Sequence, residues 1–538
     1  MRKLFLLLAL VPLLALGQAE NKEKKIMVIT DPHVLAKVLF DSRSASFTSM
    51  MEKQRKMLDL SEDLWYQLID TALLYKPDLV LIPGDLTKDD EYESHSVVKE
   101  GLESLKNAGI RALFIPGNHD LGGTPYQYKG EEKERTRSLE EAGYDEWDRF
   151  YGSISQDITL INLGSVFVAE PFKGLTILGI DGSNGTASVG SIDMWYLRFV
   201  LNNFIDPARK KGNMVIAMSH WQLMDHFDQQ GTLEKACQFE NAEAIRDTLM
   251  HHGVRLVLTG HFHVNSITTY RDTTGLTNDS IVEISTGSPI TFPCPYRWLT
   301  ISEDRARIDV KTDYLGFSAT IGRDLYDYSE EWMREHTANL IPDMTYRAFN
   351  KALANLDAGL SSLGDMSKLE QTLGFSLKDE ILSIIPDSAG QLDLVNRHLG
   401  QHIIDLYILH SKANESEDSN AQVIADAIYT GMEDMMTEMV GSNLKLMMIL
   451  PGLKLLATEI VKEPVQSIVE DVTHWRSTSY KNRTNDLNLS LMINEPIVGQ
   501  GVDQVEAEGV KVNKVLREGH LLIEKGEQTY TLQGQKVQ

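Results

Sequence analysis

The stretch Leu79–Asp89, LVLIPGDLTKD, changes character at Pro83. The four apolar residues Leu79–Ile82 read as a strand, and Pro83–Gly84 follows as a tight turn. Upstream, Leu64, Leu68 and Ala72 recur at helical spacing, with Ser61 as the expected N-cap and Pro77 as the stop. Downstream, a second helix over about His95–Asn107 leads through Gly109 into a strand, Ala112–Ile115. Before all of these lies another β-branched run, Ile26–Thr30 (IMVIT). Strand, helix, strand, helix, strand with short links predicts right-handed crossovers and a largely parallel sheet. The pattern resumes at Met214–Met218, a helix near Glu240–Met250, and Arg255–Leu258. Val166–Ala169, Thr176–Ile180, Ile281–Ile284, Trp298–Ile301 and Ile308–Val310 read as strands without intervening helices, hence as antiparallel additions to the same core.

After about Tyr314 the periodicity changes. Glu330–Ala354 and much of Leu369–Val472 carry helical spacing and no convincing strand, and from about Lys511 short strand-like runs surround Gly519, Gly526 and Gly534. The expected division is a catalytic domain over 24–317, a helical domain over 318–495 and a short β-rich tail over 496–538. The helical part is either an appendage packed on the first domain or a cap that shapes an entrance to it.

The 538 residues are too many for one ordinary core. With 52 Lys and Arg against 77 Asp and Glu, the formal charge of −25 argues against a nucleic-acid polymer as partner. At the N-terminus, Arg2 and Lys3 precede an apolar run, Leu4–Leu16, too short to span a bilayer. With Ala15 and Gly17 at the −3 and −1 positions of a cut before Gln18, residues 1–17 read as a signal peptide, and the protein as exported to the periplasm or beyond the cell. No later segment is long and apolar enough to span; Leu444–Ala457 is interrupted by Lys445, Pro451 and Lys454. Cys237 and Cys294 could pair in an oxidising compartment.

Each apolar strand of the first part ends in polar residues. Asp31–Pro32–His33 follows the first, Gly84–Asp85 the second, and Gly117–Asn118–His119–Asp120 the third. Ser219–His220 follows Met214–Met218, and Gly260–His261–Phe262–His263 follows Arg255–Leu258. In an open α/β sheet, ligands bind beyond the carboxyl ends of the strands. Asp, Asn and His gathered at that edge suit a transition metal better than calcium or magnesium.

In this order the motifs DxH, GD, GNHD, SH and GHxH resemble those of the calcineurin-like metallophosphoesterases, over Ile26 to about Tyr314. The resemblance implies a two-sheet sandwich flanked by helices, here followed by the helical domain and β tail. It implies two divalent or trivalent ions (Fe, Mn or Zn). One would be held by Asp31, His33, Asp85 and His263, the other by Asp85, Asn118, His220 and His261, with Asp85 bridging. Alternation at the strand end would turn His261 and His263 toward different ions. Such a pair, roughly 3.5–4 Å apart, would hold a hydroxide for attack on phosphorus. His119 matches the family histidine that stabilises the transferring phosphoryl group or protonates the leaving oxygen, and with Asp85 makes up the expected catalytic set. Asp120 either orients His119 or caps a turn.

Departures narrow the resemblance. Lys88 stands where purple acid phosphatases carry a ligand tyrosine, and Asp120–Leu121 replaces the Glu-Phe of five-prime nucleotidases. The style of DPH, GDLTKD and PGNHD is closest to bacterial cyclic-nucleotide phosphodiesterases. The expected activity is hydrolysis of cyclic nucleotides or other small phosphodiesters and monoesters. The alternatives are a nuclease of the same superfamily and a metal-containing binding or scaffold protein without turnover. The oligomeric state is left open.

Overall fold

The computed structural model describes residues 22–354, apart from Gly164 and 143–146, 156–158, 184–188, 228–229, 231–236 and 273–278. It also describes scattered positions of 368–376, most of 396–493 and the strands of 512–537. Residues 1–17, read as a signal peptide, lie outside the described residues.

The chain runs β1 (Lys24–Val28), α1 (Ser61–Tyr75), β2 (Leu79–Pro83), α2 (Tyr92–Asn107) and β3 (Arg111–Ile115). Then follow β4 (Thr159–Asn162), β5 (Val166–Phe172), β6 (Leu175–Ile180), β7 (Met214–Ser219), α3 (Ala242–His251) and β8 (Leu256–Thr259). Next come β9 (Ser266–Arg271), β10 (Ser280–Ser285), β11 (Pro295–Ile301) and β12 (Arg307–Tyr314). The helices α4 (Leu325–Ala354), α5 (Asn396–Lys412) and α6 (Ala421–Val440) precede β13 (Tyr480–Asn482) and β14 (Asn488–Met492).

The strands form two mixed sheets. The first has six strands in the order β14-β12-β11-β1-β2-β3, the second eight in the order β13-β9-β10-β8-β7-β6-β5-β4. Alternation along each strand assigns its side chains to two cores. Ile26, Val28, Leu79 and Leu81 meet Ile216, Met218, Leu256 and Leu258 between the sheets. Met27, Val80 and Ile82 turn the other way, under Leu64, Leu68 and Leu102 of α1 and α2. Val215, Ala217 and Val257 likewise lie with Ile245 and Leu249 of α3. Both faces of the central strands are covered, which is why they read as unbroken apolar runs.

Two local expectations are corrected. Ser61 is not an N-cap: the cap position is Leu60, while the Ser61 hydroxyl accepts from the Leu35 N–H (2.9 Å) and donates to the Leu58 carbonyl (2.8 Å). β6 and β10 are antiparallel additions on one side only, to β5 and β9, since β6 also pairs parallel with β7 and β10 parallel with β8. The β6–β7 crossover is helical from Met194 to Lys210, and its start, MWYLRFV, is too continuously apolar to show a helical period. Among its described residues the segment 318–495 is mostly helical, as expected, and it also carries two strands of the sandwich. β13 pairs with β9 and β14 with β12, so this segment returns to complete one edge of each sheet. Strands of three and five residues leave little periodic signal.

A buried arginine fastens that return. Arg297 of β11 donates to the carbonyls of Asp486 (2.8 Å) and Ser285 (3.0 Å) and to the hydroxyls of Thr312 and Thr286. The helices join the sandwich through Phe292, which clusters with Met333 of α4 and with Ile404 and Ile408 of α5. α5 and α6 share a separate apolar core around Leu399, Leu409, Ala425 and Ile428. The tail forms a four-stranded antiparallel sheet from Val512 to Val537. Cys237 and Cys294 do not pair with each other, and burial pushes the Cys294 thiol up to about 12. Among the described residues no helix is long and apolar enough to cross a membrane.

Candidate metal centre

The turns after β1 and β2 continue the ladder past the sheet. Asp31 N–H donates to the Gly84 carbonyl (3.1 Å), His33 N–H to that of Asp85 (3.0 Å) and Val34 N–H to that of Leu86 (2.9 Å). Asp31, His33 and Asp85 are thereby set side by side. On the second sheet, Gly260 N–H donates to the His220 carbonyl (3.1 Å), bringing the turns after β7 and β8 together. The sheets are stitched at this edge by His220 Nδ1–H donating to the Pro83 carbonyl (2.9 Å) and by His261 N–H donating to both Asp31 oxygens (3.0 Å each).

Two glycines permit the approach. A Cβ on Gly117 would lie 2.2 Å from Asp85 Oδ1, and one on Gly260 would lie 2.0 Å from Thr30 Oγ1. Conversely, five of the expected ligands that carry side chains take left-handed backbone: Asp31 (φ 53°), His33 (39°), Asp85 (51°), His261 (67°) and His263 (61°). Such conformations are uncommon outside glycine and cluster at functional sites. They also correct the expectation for the HxH motif. β8 ends at Thr259, and His261 and His263 diverge because a left-handed turn redirects them, not because a strand alternates.

The side chains form two donor sets that share Asp85. In the first, His33 Nε2 lies 3.0 Å from His263 Nε2 and 3.5 Å from Asp85 Oδ2, and His263 Nε2 lies 3.3 Å from Asp31 Oδ1. In the second, His220 Nε2 lies 3.2 Å from Asp85 Oδ2, 3.0 Å from His261 Nδ1 and 3.1 Å from Asn118 Oδ1. Within each set, Asn118 aside, one donor atom per residue falls inside a 4.8 Å span. All seven expected ligands are brought together, and Asp85 belongs to both groups. With Nδ1 committed to Pro83, the ring of His220 presents Nε2 to the site.

The electrostatics are those of a pocket built around positive charge. Burial raises the Asp85 carboxyl, but His220, His119 and His33 outweigh it and hold the group well below the usual range. Burial likewise opposes the charge on Asp31, and His263 and His220 leave it lowered. His220 is lowered by burial yet carried up to about 9 by Asp85 and Asp31. His261 falls to about 3 through burial and the neighbouring His220, and His33 is lowered well below its ordinary value by burial and Lys56. Buried oxygens and imidazole nitrogens converging at these distances fit a pair of transition-metal ions.

His119 stands beside this cluster, its ring centroid 4.9 Å from that of His33. Its backbone N–H donates to Asp85 Oδ1 (2.9 Å), and its Nδ1 is bound to Asp89 Oδ1 (2.7 Å). Asp120 does not orient it. That carboxylate accepts from the backbone N–H groups of Leu86, Thr87 and Gly117, tying the second and third turns together. The orienting group is Asp89, which sequence reasoning did not assign although it stands in the GDLTKD stretch. Burial opposes its charge, but His119 and Lys88 bring it down to about 2. Lys88 pairs with Asp89 and lies over the Tyr128 ring (5.3 Å to the centroid). A second unassigned side chain, Lys56, reaches in from the loop before α1, with Nζ 3.1 Å from His33 Nε2. No motif surrounds Lys56 in the sequence.

Residues 24–265 match a family model described as calcineurin-like phosphoesterase. No curated protein sequence matches the chain. Among solved structures, a dimetal phosphatase from Danio rerio is 14% identical over 54% of this chain and 95% of its own, with a TM-score of 0.36. A purple acid phosphatase from yellow lupin seeds is 10% identical over 57% of this chain and 53% of its own, with a TM-score of 0.31. The Plasmodium protein GAP50, an anchor in the inner membrane complex, is 10% identical over 54% of this chain and 84% of its own, at 0.24.

Proposed function

We propose that this chain, which belongs to the calcineurin-like phosphoesterase family through residues 24–265, is an exported two-metal hydrolase of small phosphate esters, cyclic nucleotides among the substrates to be tried. The observation that carries the reading is Asp85: a buried carboxylate common to two separate donor sets. Asp31, His33, Asp85 and His263 would hold one ion, and Asp85, Asn118, His220 and His261 the other. When bound, such ions supply positive charge to the phosphoryl oxygens and activate a water for in-line displacement.

The remaining chemistry belongs to the chain. Asp89 fixes the ring of His119 through Nδ1, which leaves Nε2 to meet the substrate. From there it can donate to a phosphoryl oxygen or give its proton to the leaving oxygen. The hydrogen bond from its backbone N–H to Asp85 ties the position of His119 to that of the bridging carboxylate. Export rests on the N-terminal pattern Arg2–Gly17 alone.

The test is metal analysis of the purified full chain together with a panel of phosphomonoesters, phosphodiesters, cyclic nucleotides and single-stranded nucleic acid. About two equivalents of Fe, Mn or Zn and turnover of small esters are expected. A metal-loaded protein that cleaves none of them would leave a binding protein; preference for the polymer would make it a nuclease.

A further inference from the structure

Lys56 is not absorbed by the metal sets or by the His119–Asp89 pair. It lies in the loop between Met51 and Ser61, where Met57 N–H donates to the Ile290 carbonyl (2.8 Å) and Arg55 lies over the Tyr407 ring of α5 (4.8 Å to the centroid). The loop is therefore held from two sides, and Lys56 is directed inward. Its ammonium lies 3.1 Å from Nε2 and 3.5 Å from Nδ1 of His33, on the ring that His119 also flanks. Among the described residues no carboxylate comes within 4.0 Å of it, whereas Lys88 has Asp89. Burial lowers the Lys56 ammonium from its ordinary value, and Asp85, Asp89 and Asp31 oppose this only from farther away.

A partly buried ammonium without a contacting counter-charge is stabilised by gaining one. Asp31 and Asp85 cannot serve once they ligate ions, and Asp89 is engaged by His119 and Lys88. An anion arriving from outside would meet Lys56 at a point bordered by His33 and His119.

We infer that Lys56 grips a non-bridging oxygen of the substrate phosphate and favours a doubly charged phosphomonoester over a singly charged diester. The inference rests on the hydrolase reading above and narrows its substrate class. A fixed positive charge attracts a dianion about twice as strongly as a monoanion at the same distance. Arginine at this position keeps the charge, and methionine keeps most of the volume without it.

The test uses the metal-loaded full chain and its K56M and K56R variants. Metal content is measured for each, inorganic phosphate binding is followed by calorimetry, and kcat/KM is compared for p-nitrophenyl phosphate and bis(p-nitrophenyl) phosphate. K56M should hold as much metal as wild type, bind phosphate about 10- to 100-fold more weakly, and lose a similar factor on the monoester. The loss on the diester should be smaller, and K56R should recover most of the phosphate affinity. Unchanged phosphate affinity in K56M overturns the inference. So does a change in its metal content, which would make Lys56 a competitor or organiser of the ions. If wild type hydrolyses no ester yet K56M binds phosphate more weakly, the hydrolase reading falls and the role of Lys56 stands.

Discussion

His119 and Asp89 show how one pair divides binding from chemistry. His119 is none of the expected ligands, so His119→Ala should keep wild-type metal content while turnover drops about 10²- to 10⁴-fold, measured by metal analysis and steady-state kinetics. Asp89→Asn should also keep the metal and lose a smaller factor, because the ring remains but its orientation is no longer charge-fixed. Asp85→Asn should lose metal and turnover together. Near this pair, Glu91 is fully buried; its Oε2 accepts from the Asp89 N–H, its Oε1 has no hydrogen-bond partner among the described residues, and burial raises its carboxyl to about 7. A raised acid binds its proton more tightly in the folded state. The associated stability is present below about pH 4.5 and is lost as pH rises through 7, on the order of 3 kcal/mol. Glu91→Gln should flatten that part of the stability profile, as followed by denaturant midpoints at pH 5 and pH 8. A profile unchanged by the substitution would assign the pH dependence to other groups.

The elements that carry the site were legible because each is a local statement: a buried strand, then a turn bearing Asp, Asn or His. Gly117 shows how tightly turn and ligand are joined. Gly117→Ala would place a methyl against Asp85 Oδ1, and metal affinity should fall about 10- to 100-fold with little change in helix content, read by metal titration and circular dichroism. What was not legible depends on long-range pairing. Asp89 and Asp120 are both acids near the motifs. Which of them reaches His119 is decided by the meeting of the second and third turns, not by spacing. Lys56 lies where no periodicity exists, and its direction comes from contacts to Ile290 and Tyr407, far along the chain. The edge strands β13 and β14 were hidden for the same reason: only their partners make them strands.

Across the whole molecule, the return of β13 and β14 decides how the halves depend on each other. A chain ending near Ser318 loses an edge strand from each sheet, the Asp486 carbonyl bound to Arg297, and the helices that cover Phe292. Exposed sheet edges and a bared apolar surface favour association. Such a chain should be aggregated or poorly soluble by size-exclusion chromatography, and any soluble fraction should still take up two metals and cleave a small activated ester. A monodisperse truncated protein with unaltered substrate preference would make the helical half an independent module.

The left-handed ligand backbone carries a consequence for how the centre would tolerate change. Each non-glycine residue in that conformation stores roughly 1–2 kcal/mol, which the surrounding bonds, and an ion when present, must hold in place. The centre is therefore a liability to the metal-free protein, and selection for robustness alone would erode it. His263→Gly, at a ligand whose side chain retains some exposure, relieves one such position. In chelator, that variant should melt no lower than wild type, while in saturating metal the order should reverse. Drift toward a stable but inactive relative would then begin at the HxH turn, and the rest of the sandwich would survive the loss unchanged.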